Sequence, residues 1–286
     1  MDAIARIERS LTEALQPGPT PPLLSLAMSH AVFPGGARIR PRLCLAAAEA
    51  CGGDDPALAD ATAAAIELLH CASLVHDDMP AFDDAATRRG RLTVHKAYGE
   101  PLALLAGDAL IVLAFQHVLR CPAAHRERVA TVLGIVAEAV GTPLGIVAGQ
   151  AWECEPRVDV SAYHRAKTAA LFAGASMAGA AAAGGPVEAW RAVGERLGEA
   201  YQVADDIADA LAAAEEFGKP VGQDAAHGRP SAVRELGLRG AVARLEALAD
   251  SAAAAVPACP GREQLGALIR REARRLLPRS LPVTAT

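Results

Sequence analysis

The sequence predicts an all-helical fold built as one large bundle, and three observations predict it. Alanine and leucine, both strong helix formers, dominate a chain that is 52% hydrophobic. No stretch between turn signals alternates apolar and polar residues for long enough to make a strand. Proline and glycine punctuate the 286 residues at short intervals. The breaks fall at Pro17-Gly18-Pro19, Pro21-Pro22, Pro34-Gly35-Gly36, Gly52-Gly53-Asp54-Asp55-Pro56, Cys121-Pro122, Gly141-Thr142-Pro143, Gly184-Gly185-Pro186, Gly228-Arg229-Pro230 and Pro257 to Gly261. They divide the chain into about ten helices joined by short loops. With no long polar linker and no internal repeat, residues 1–286 are expected to form a single domain.

Taken in order, the N-terminal MDAIARIERS carries charges throughout and lacks the apolar core of a signal peptide. The stretch Gly35-Gly36-Ala37-Arg38-Ile39-Arg40-Pro41 opens a helix with two arginines near its start, where a helix end itself favours anions. A long apolar helix begins near Pro56, carries ELLHCASLVH and runs into an acidic cluster; Phe115 lies on the helix after it. From Thr168 to Val187 twenty residues carry no charge, which meets the length needed to cross a bilayer. They are mostly Ala, Gly and Ser and end at Gly184-Gly185-Pro186, so a tightly packed internal helix is expected instead. Another apolar helix, from about Pro186 to Ala214, carries AYQVADDIADA. The tail from about Arg270 carries no motif.

Composition narrows the function. Lys+Arg 28 against Asp+Glu 33 gives a net charge of −5, and aromatics are 3% of the chain, so no nucleic-acid partner is expected on charge and stacking grounds. The six cysteines are scattered with no CxxC pair, and with the charged N-terminus this leads us to expect a cytoplasmic protein.

Two acidic clusters carry the chemistry. HDDMPAFDDAATRRGR holds Asp77, Asp78, Asp83 and Asp84 at the end of one apolar helix; Asp205, Asp206 and Asp209 lie inside another. Asp205 and Asp209, four apart, share a helix face and repel, so a cation is expected between them. A solvated helix end would explain either cluster alone. Two clusters of carboxylates without His or Cys suit Mg²⁺, which keeps several waters and shares its shell with phosphates. Arg88 and Arg89 follow the first cluster directly, and their forked donors match phosphate oxygens; Lys167-Thr168 and Lys219 lie near the second.

From about Gly35 to Ser231 the chain resembles the trans-prenyltransferases, or polyprenyl diphosphate synthases. Within them it is most similar to the bacterial geranylgeranyl diphosphate synthases of carotenoid and bacteriochlorophyll pathways. The family's motifs occur in its order: DDMPAFD as the longer DDxxxxD form, RRGR, LAGDAL, AGQ, YHRAKT, YQVADDIAD and GKPVGQD. The resemblance implies the isoprenoid synthase fold, a helical bundle around a central cavity. It implies head-to-tail condensation of isopentenyl diphosphate with allylic diphosphates in a homodimer, with about three Mg²⁺ per active site and Mn²⁺ as the alternative. By matched position Asp77, Asp83 and Asp205, supported by Asp78, Asp206 and Asp209, would hold the metal. Arg88, Lys167, Thr168, Gln202 and Lys219 would contact the allylic diphosphate; Arg40, His70 and Arg89 would bind isopentenyl diphosphate. Ala72 and Ser73, both small, with Phe115 as a candidate floor, would line the chain-length pocket. An aromatic at the position of Ala72 limits the family's product to fifteen carbons, so twenty are expected here, with a farnesyl diphosphate synthase as the alternative.

The chain also departs from the family. The usual glycine-glycine-lysine reads Gly35-Gly36-Ala37, leaving Arg38 or Arg40 to supply that charge. The later lysine-x-threonine reads Arg229-Pro230-Ser231, Phe before the glutamine is Tyr201, and Glu153 replaces an aspartate after AGQ. On an unbroken helix Asp84, not Asp83, would share a face with Asp77; Pro80 breaks the helix, and the family match selects Asp83. A class I terpene cyclase would carry an Asn/Ser/Glu motif in place of DDIAD, a non-catalytic partner subunit would have lost one cluster, and a helical scaffold would need neither.

Overall fold

A computed structural model describes residues 2–16, 18, 21–33, 36–156, 169–215 and 231–276. Among the described residues twelve α-helices follow one another. They are α1 (Ala3–Ala14), α2 (Pro22–Val32), α3 (Ile39–Ala50), α4 (Pro56–Asp77), α5 (Val94–Tyr98), α6 (Glu100–Arg120), α7 (Glu127–Val140), α8 (Ile146–Ala151), α9 (Ala170–Ala182), α10 (Arg191–Glu215), α11 (Ala232–Ala255) and α12 (Arg262–Leu276). The expected count of about ten rises because Gly99 separates α5 from α6 and a short α8 follows α7. The helix expected from about Pro186 starts five residues later, after a 3₁₀ turn at Glu188–Trp190.

Local chemistry sets several ends. Prolines stand in the first turn of α2, α4 and α6, where the missing N–H costs nothing. Asp55 caps α4 by accepting the Leu58 N–H at 3.1 Å, and its other oxygen accepts the His125 N–H at 2.8 Å, joining the α6–α7 loop to the start of α4.

The uncharged stretch forms α9, thirteen residues long and buried from Leu171 to Ala182. It is too short to span a bilayer and packs against α3, α4, α7 and α10. Small residues make this possible. A Cβ on Gly179 would fall 2.1 Å from the Cys44 carbonyl oxygen of α3, and one on Gly194 of α10 would fall 2.4 Å from Ala173 Cα. Among the described residues, the helices long and apolar enough to cross a membrane are instead α4, whose apolar window is 78% buried within the bundle, and α6, whose window is 33% buried.

One further departure from the sequence expectation is a two-stranded hairpin, β1 (Thr87–Arg88) and β2 (Arg91–Leu92), with Thr87 opposite Leu92. Two residues per strand leave no alternation to detect.

Candidate active site

Helix α4 ends at Asp77 and the chain then folds back on it. The Asp83 N–H donates to the Asp77 carbonyl at 3.0 Å, Asp84 N–H to Met79 at 3.1 Å and Ala85 N–H to Asp78 at 3.1 Å. Pro80 therefore breaks the helix as expected, and the return brings the Asp83 backbone onto Asp77. Asp84 is turned elsewhere: its φ is +43°, and its carboxylate takes an ion pair from Lys96 at 2.9 Å with the buried His95 Nε2 at 3.4 Å. Thr93 finishes the loop, its hydroxyl donating to the Ala85 carbonyl at 2.7 Å.

Asp78 is buried and engaged on both oxygens. Arg88 Nε donates to them at 2.8 and 2.9 Å, Arg88 Nη2 approaches one at 2.7 Å, and the same guanidinium lies 3.8 Å from Asp77. The C-terminal end of a helix carries partial negative charge, so two aspartates there require such a cation. Arg89, at the hairpin turn with φ +53°, reaches back across Gly36. A Cβ on Gly36 would fall 2.5 Å from Arg89 Cζ, so the glycine lets the Arg89 guanidinium lie directly against the backbone there.

A further cation, Arg40, lies within electrostatic reach of Asp205 and Arg89. Arg40 stacks over Phe172 of α9, 4.5 Å from the ring centroid, and beside Tyr201 of α10 at 5.7 Å; the two rings are 5.5 Å apart. Arg40 Nη1 donates to His70 Nε2 at 3.3 Å, while its buried Nε has no hydrogen-bond partner. Burial first, then Arg40, Arg89 and Arg88, hold the His70 pKa well below the usual histidine range. The ring is therefore neutral, and with Nε2 accepting from Arg40 the proton sits on Nδ1.

Of the two arginines that could replace the absent lysine charge, Arg38 is committed elsewhere. It is 3% exposed, with φ +50°, and pairs with buried Glu67 at 2.7 Å and Glu8 at 2.8 Å while donating to the Val32 carbonyl. This pairing joins α1, α3 and α4, and leaves Arg40 as the arginine of this stretch stacked beside His70.

The second cluster lies along α10. Asp205 and Asp209 are exposed to solvent, but the surrounding protein and then the neighbouring Asp209 push the Asp205 carboxyl up to about 6, against the pull of Arg40. Asp206 accepts the Ala232 N–H at 2.8 Å and a longer bond from Gln202 at 3.4 Å. On α4, Ser73 donates to the His70 carbonyl at 2.8 Å, Ala72 is buried, and Phe115 on α6 is half-buried against the core. Lys167, Thr168, Lys219 and Arg229 lie outside the described residues.

Among the described residues no group of three His, Cys, Asp or Glu converges to hold a metal without other ligands. Carboxylates as the donors, with Asp205 kept from ionising freely first by the desolvating protein around it and then by Asp209, fit a hard cation that takes the rest of its shell from water and phosphate. Sequence reasoning missed Phe172, Glu67, His95 and Lys96. For these no local signal exists, because the contacts that tie them to the site, with Arg40, Arg38 and Asp84, come from eleven or more residues away in the chain.

The fold and the site define a polyprenyl synthetase: the sequence profile of that family matches residues 21–256, and the chain belongs to it. Over 276 residues it is 52% identical to the geranylgeranyl diphosphate synthase of Cereibacter sphaeroides, covering 96% of each chain. Over 283 residues it is 48% identical to the enzyme of the same name from Rhodobacter capsulatus, covering 98% of this chain and 97% of the relative. Among solved structures it is similar to an FPP/GFPP synthase from Zymomonas mobilis, with TM-score 0.77 and 31% identity over 96% of this chain and 95% of the other. A geranylgeranyl pyrophosphate synthetase from Pyrococcus horikoshii gives TM-score 0.76 at 28% identity, over 97% and 96%.

Proposed function

We propose that this chain is a geranylgeranyl diphosphate synthase, a Mg²⁺-dependent prenyltransferase that joins isopentenyl diphosphate head to tail with allylic diphosphates up to twenty carbons. The observation that carries the reading is Arg40, stacked on Phe172 and Tyr201, bonded to neutral His70 and within electrostatic reach of Asp205 and Arg89. The names of the relatives at 52% and 48% identity support the same product.

In this reading Asp77, Asp83 and Asp205 would hold about three Mg²⁺ ions, with Asp78, Asp206 and Asp209 supporting the carboxylates that do so. Bound there, Mg²⁺ would neutralise charge on the departing diphosphate. Arg88, Gln202 and, by resemblance, Lys167, Thr168, Lys219 and Arg229 hold that same diphosphate as its allylic C–O bond breaks. Arg40, His70 and Arg89 bind the diphosphate of the second substrate, so that its double bond can attack the allylic cation before a proton is lost. Phe172 and Tyr201 fix the Arg40 plane, a fixed donor set that needs no rearrangement as charge develops. The apolar walls of α4 and α6 exclude water, which would otherwise quench the cation to an alcohol. Ala72 and Ser73 leave room for a long product, with Phe115 as the floor. Residues 1–286 act as one cytoplasmic domain.

Helix α6 supports a homodimer. Leu105, Val112 and Leu119, seven apart and each about half exposed, form one apolar stripe along it. Val112→Glu is expected to give monomers by light scattering.

The test is incubation of the purified chain with Mg²⁺, labelled isopentenyl diphosphate and dimethylallyl, geranyl or farnesyl diphosphate, with sizing of the dephosphorylated products. A twenty-carbon alcohol is expected, and Ala72→Phe is expected to shift it to fifteen. A fifteen-carbon product from the unmodified chain would overturn the pocket reading; no product with any starter would overturn the enzyme reading.

A further inference from the structure

The three aspartates of α10 do not point the same way. Asp205 and Asp209 share one face, and Asp206 is rotated from Asp205 by about 100° around the helix. Its carboxylate meets the start of α11, with Oδ2 accepting the Ala232 N–H at 2.8 Å and Oδ1 the longer bond from Gln202. Ala232 is the first residue of α11, and the residue before it, Ser231, makes no side-chain cap bond. The opening N–H groups of a helix have no partner within it, and a carboxylate is among the best groups to fill that role. Here the cap comes from 26 residues upstream. Gly237, at φ +70° and ψ 166°, breaks the helical path five residues further on. The opening segment Ala232 to Leu236 is thus joined to the rest of α11 through a non-helical residue, and Asp206 fixes it to α10.

The first cluster shows the same division of labour. Of the adjacent pair Asp77 and Asp78, the second is buried with both oxygens engaged by Arg88, which anchors the β-hairpin to the end of α4. In each adjacent pair the second carboxylate holds a neighbouring chain segment.

We propose that Asp206 is a positioning residue that caps α11 from α10 and ligates no metal, so that the second motif presents Asp205 and Asp209 to the cation. This rests on the metal reading above and refines it. Capping needs an acceptor oxygen but not a negative charge, and asparagine caps as well as aspartate. Ligation of a hard cation favours the charge. The pair Asp206→Asn and Asp206→Ala separates the two roles, with Asp205→Asn as the reference for a lost ligand.

Amide hydrogen exchange of residues 231–236 is measured on metal-free protein, and the Mg²⁺ half-saturation of condensation on each variant. Asp206→Asn is expected to keep those amides protected and its Mg²⁺ half-saturation within about threefold of the unmodified chain. Asp206→Ala is expected to speed exchange of these amides by about fivefold to tenfold without metal. Asp205→Asn is expected to leave them unchanged while raising the Mg²⁺ requirement about tenfold or more. If Asp206→Asn raises the Mg²⁺ requirement as much as Asp205→Asn with the amides still protected, Asp206 is a ligand and the proposal is overturned; unchanged exchange in Asp206→Ala overturns it equally. Should the unmodified chain show no Mg²⁺-dependent condensation, the functional reading fails on its own, while the metal-free exchange contrast still decides the cap.

Discussion

The first aspartate cluster is held by a knot and the second by a ruler. Asp77, Asp78 and Asp83 sit where a helix ends, and loop hydrogen bonds, Thr93, Lys96 and the Arg88 pair fix the turn that carries them. Asp205 and Asp209 sit within a continuous helix, and helical geometry sets their spacing. The difference is also electrostatic. The first cluster carries its own counter-charge in Arg88, whereas at the second the surrounding protein and Asp209 raise Asp205 to about 6, with Arg40 opposing. The knot is complete as folded; the ruler holds two carboxylates that favour the arrival of a cation.

The largest effect expected from this contrast is on chemistry. In the proposed reaction Asp77→Asn would remove charge where the leaving group departs, and it is expected to lower kcat by about 10²–10³-fold, measured with saturating Mg²⁺ and substrates. A loss confined to the Mg²⁺ half-saturation would place Asp77 in metal recruitment alone. Next comes Arg88→Lys, which cannot reproduce the two-oxygen contact with buried Asp78. Activity is expected to fall about 10–100-fold, as for partners that orient ligands. Stability is expected to fall by about 1–3 kcal/mol in urea unfolding, because Asp78 is left poorly satisfied. The ruler is tested from behind: Gly194→Ala places a methyl 2.4 Å from Ala173 Cα and forces α10 off α9. A cost of about 1–3 kcal/mol is expected, with little effect on the Arg88 contacts.

These contrasts explain what could be read from the sequence. The helical class, the end of α4 at the acidic run and the buried nature of the Ala/Gly/Ser stretch follow from local composition, so they were legible. Asp205 and Asp209 were legible because a helix fixes the angle between residues four apart. Pro80 signalled that regular geometry stops before Asp83, but how the loop returns depends on backbone bonds that no periodicity encodes. Arg38 and Arg40 look alike in GGARIRP. The first is consumed by Glu67, 29 residues on, and the second by rings on α9 and α10, so only three-dimensional packing separates a structural arginine from one in the site. The α11 cap by Asp206 was hidden for the same reason.

The smallest expected effect separates the clusters by sign. Asp205 has a folded pKa of about 6 against an ordinary 3.8, so the folded metal-free chain holds that proton more tightly than the unfolded chain. The stability linked to this proton is fully present below about pH 4 and is lost as pH rises through about 6. At pH 7 the ionised carboxylate is therefore a small burden on the metal-free fold. Asp205→Asn is expected to stabilise metal-free protein at that pH, by no more than about 1 kcal/mol because solvent screens the exposed group, and to lose this advantage as pH falls toward 4. Asp78→Asn is expected to do the opposite, since it weakens the charge-assisted pair with Arg88, and should destabilise the fold at pH 7 with or without Mg²⁺. Thermal unfolding of both variants at pH 4 and pH 7, each with EDTA and with Mg²⁺, makes the comparison. If both variants destabilise the metal-free protein at pH 7, Asp205 is as well compensated as Asp78, and the electrostatic distinction between knot and ruler is wrong.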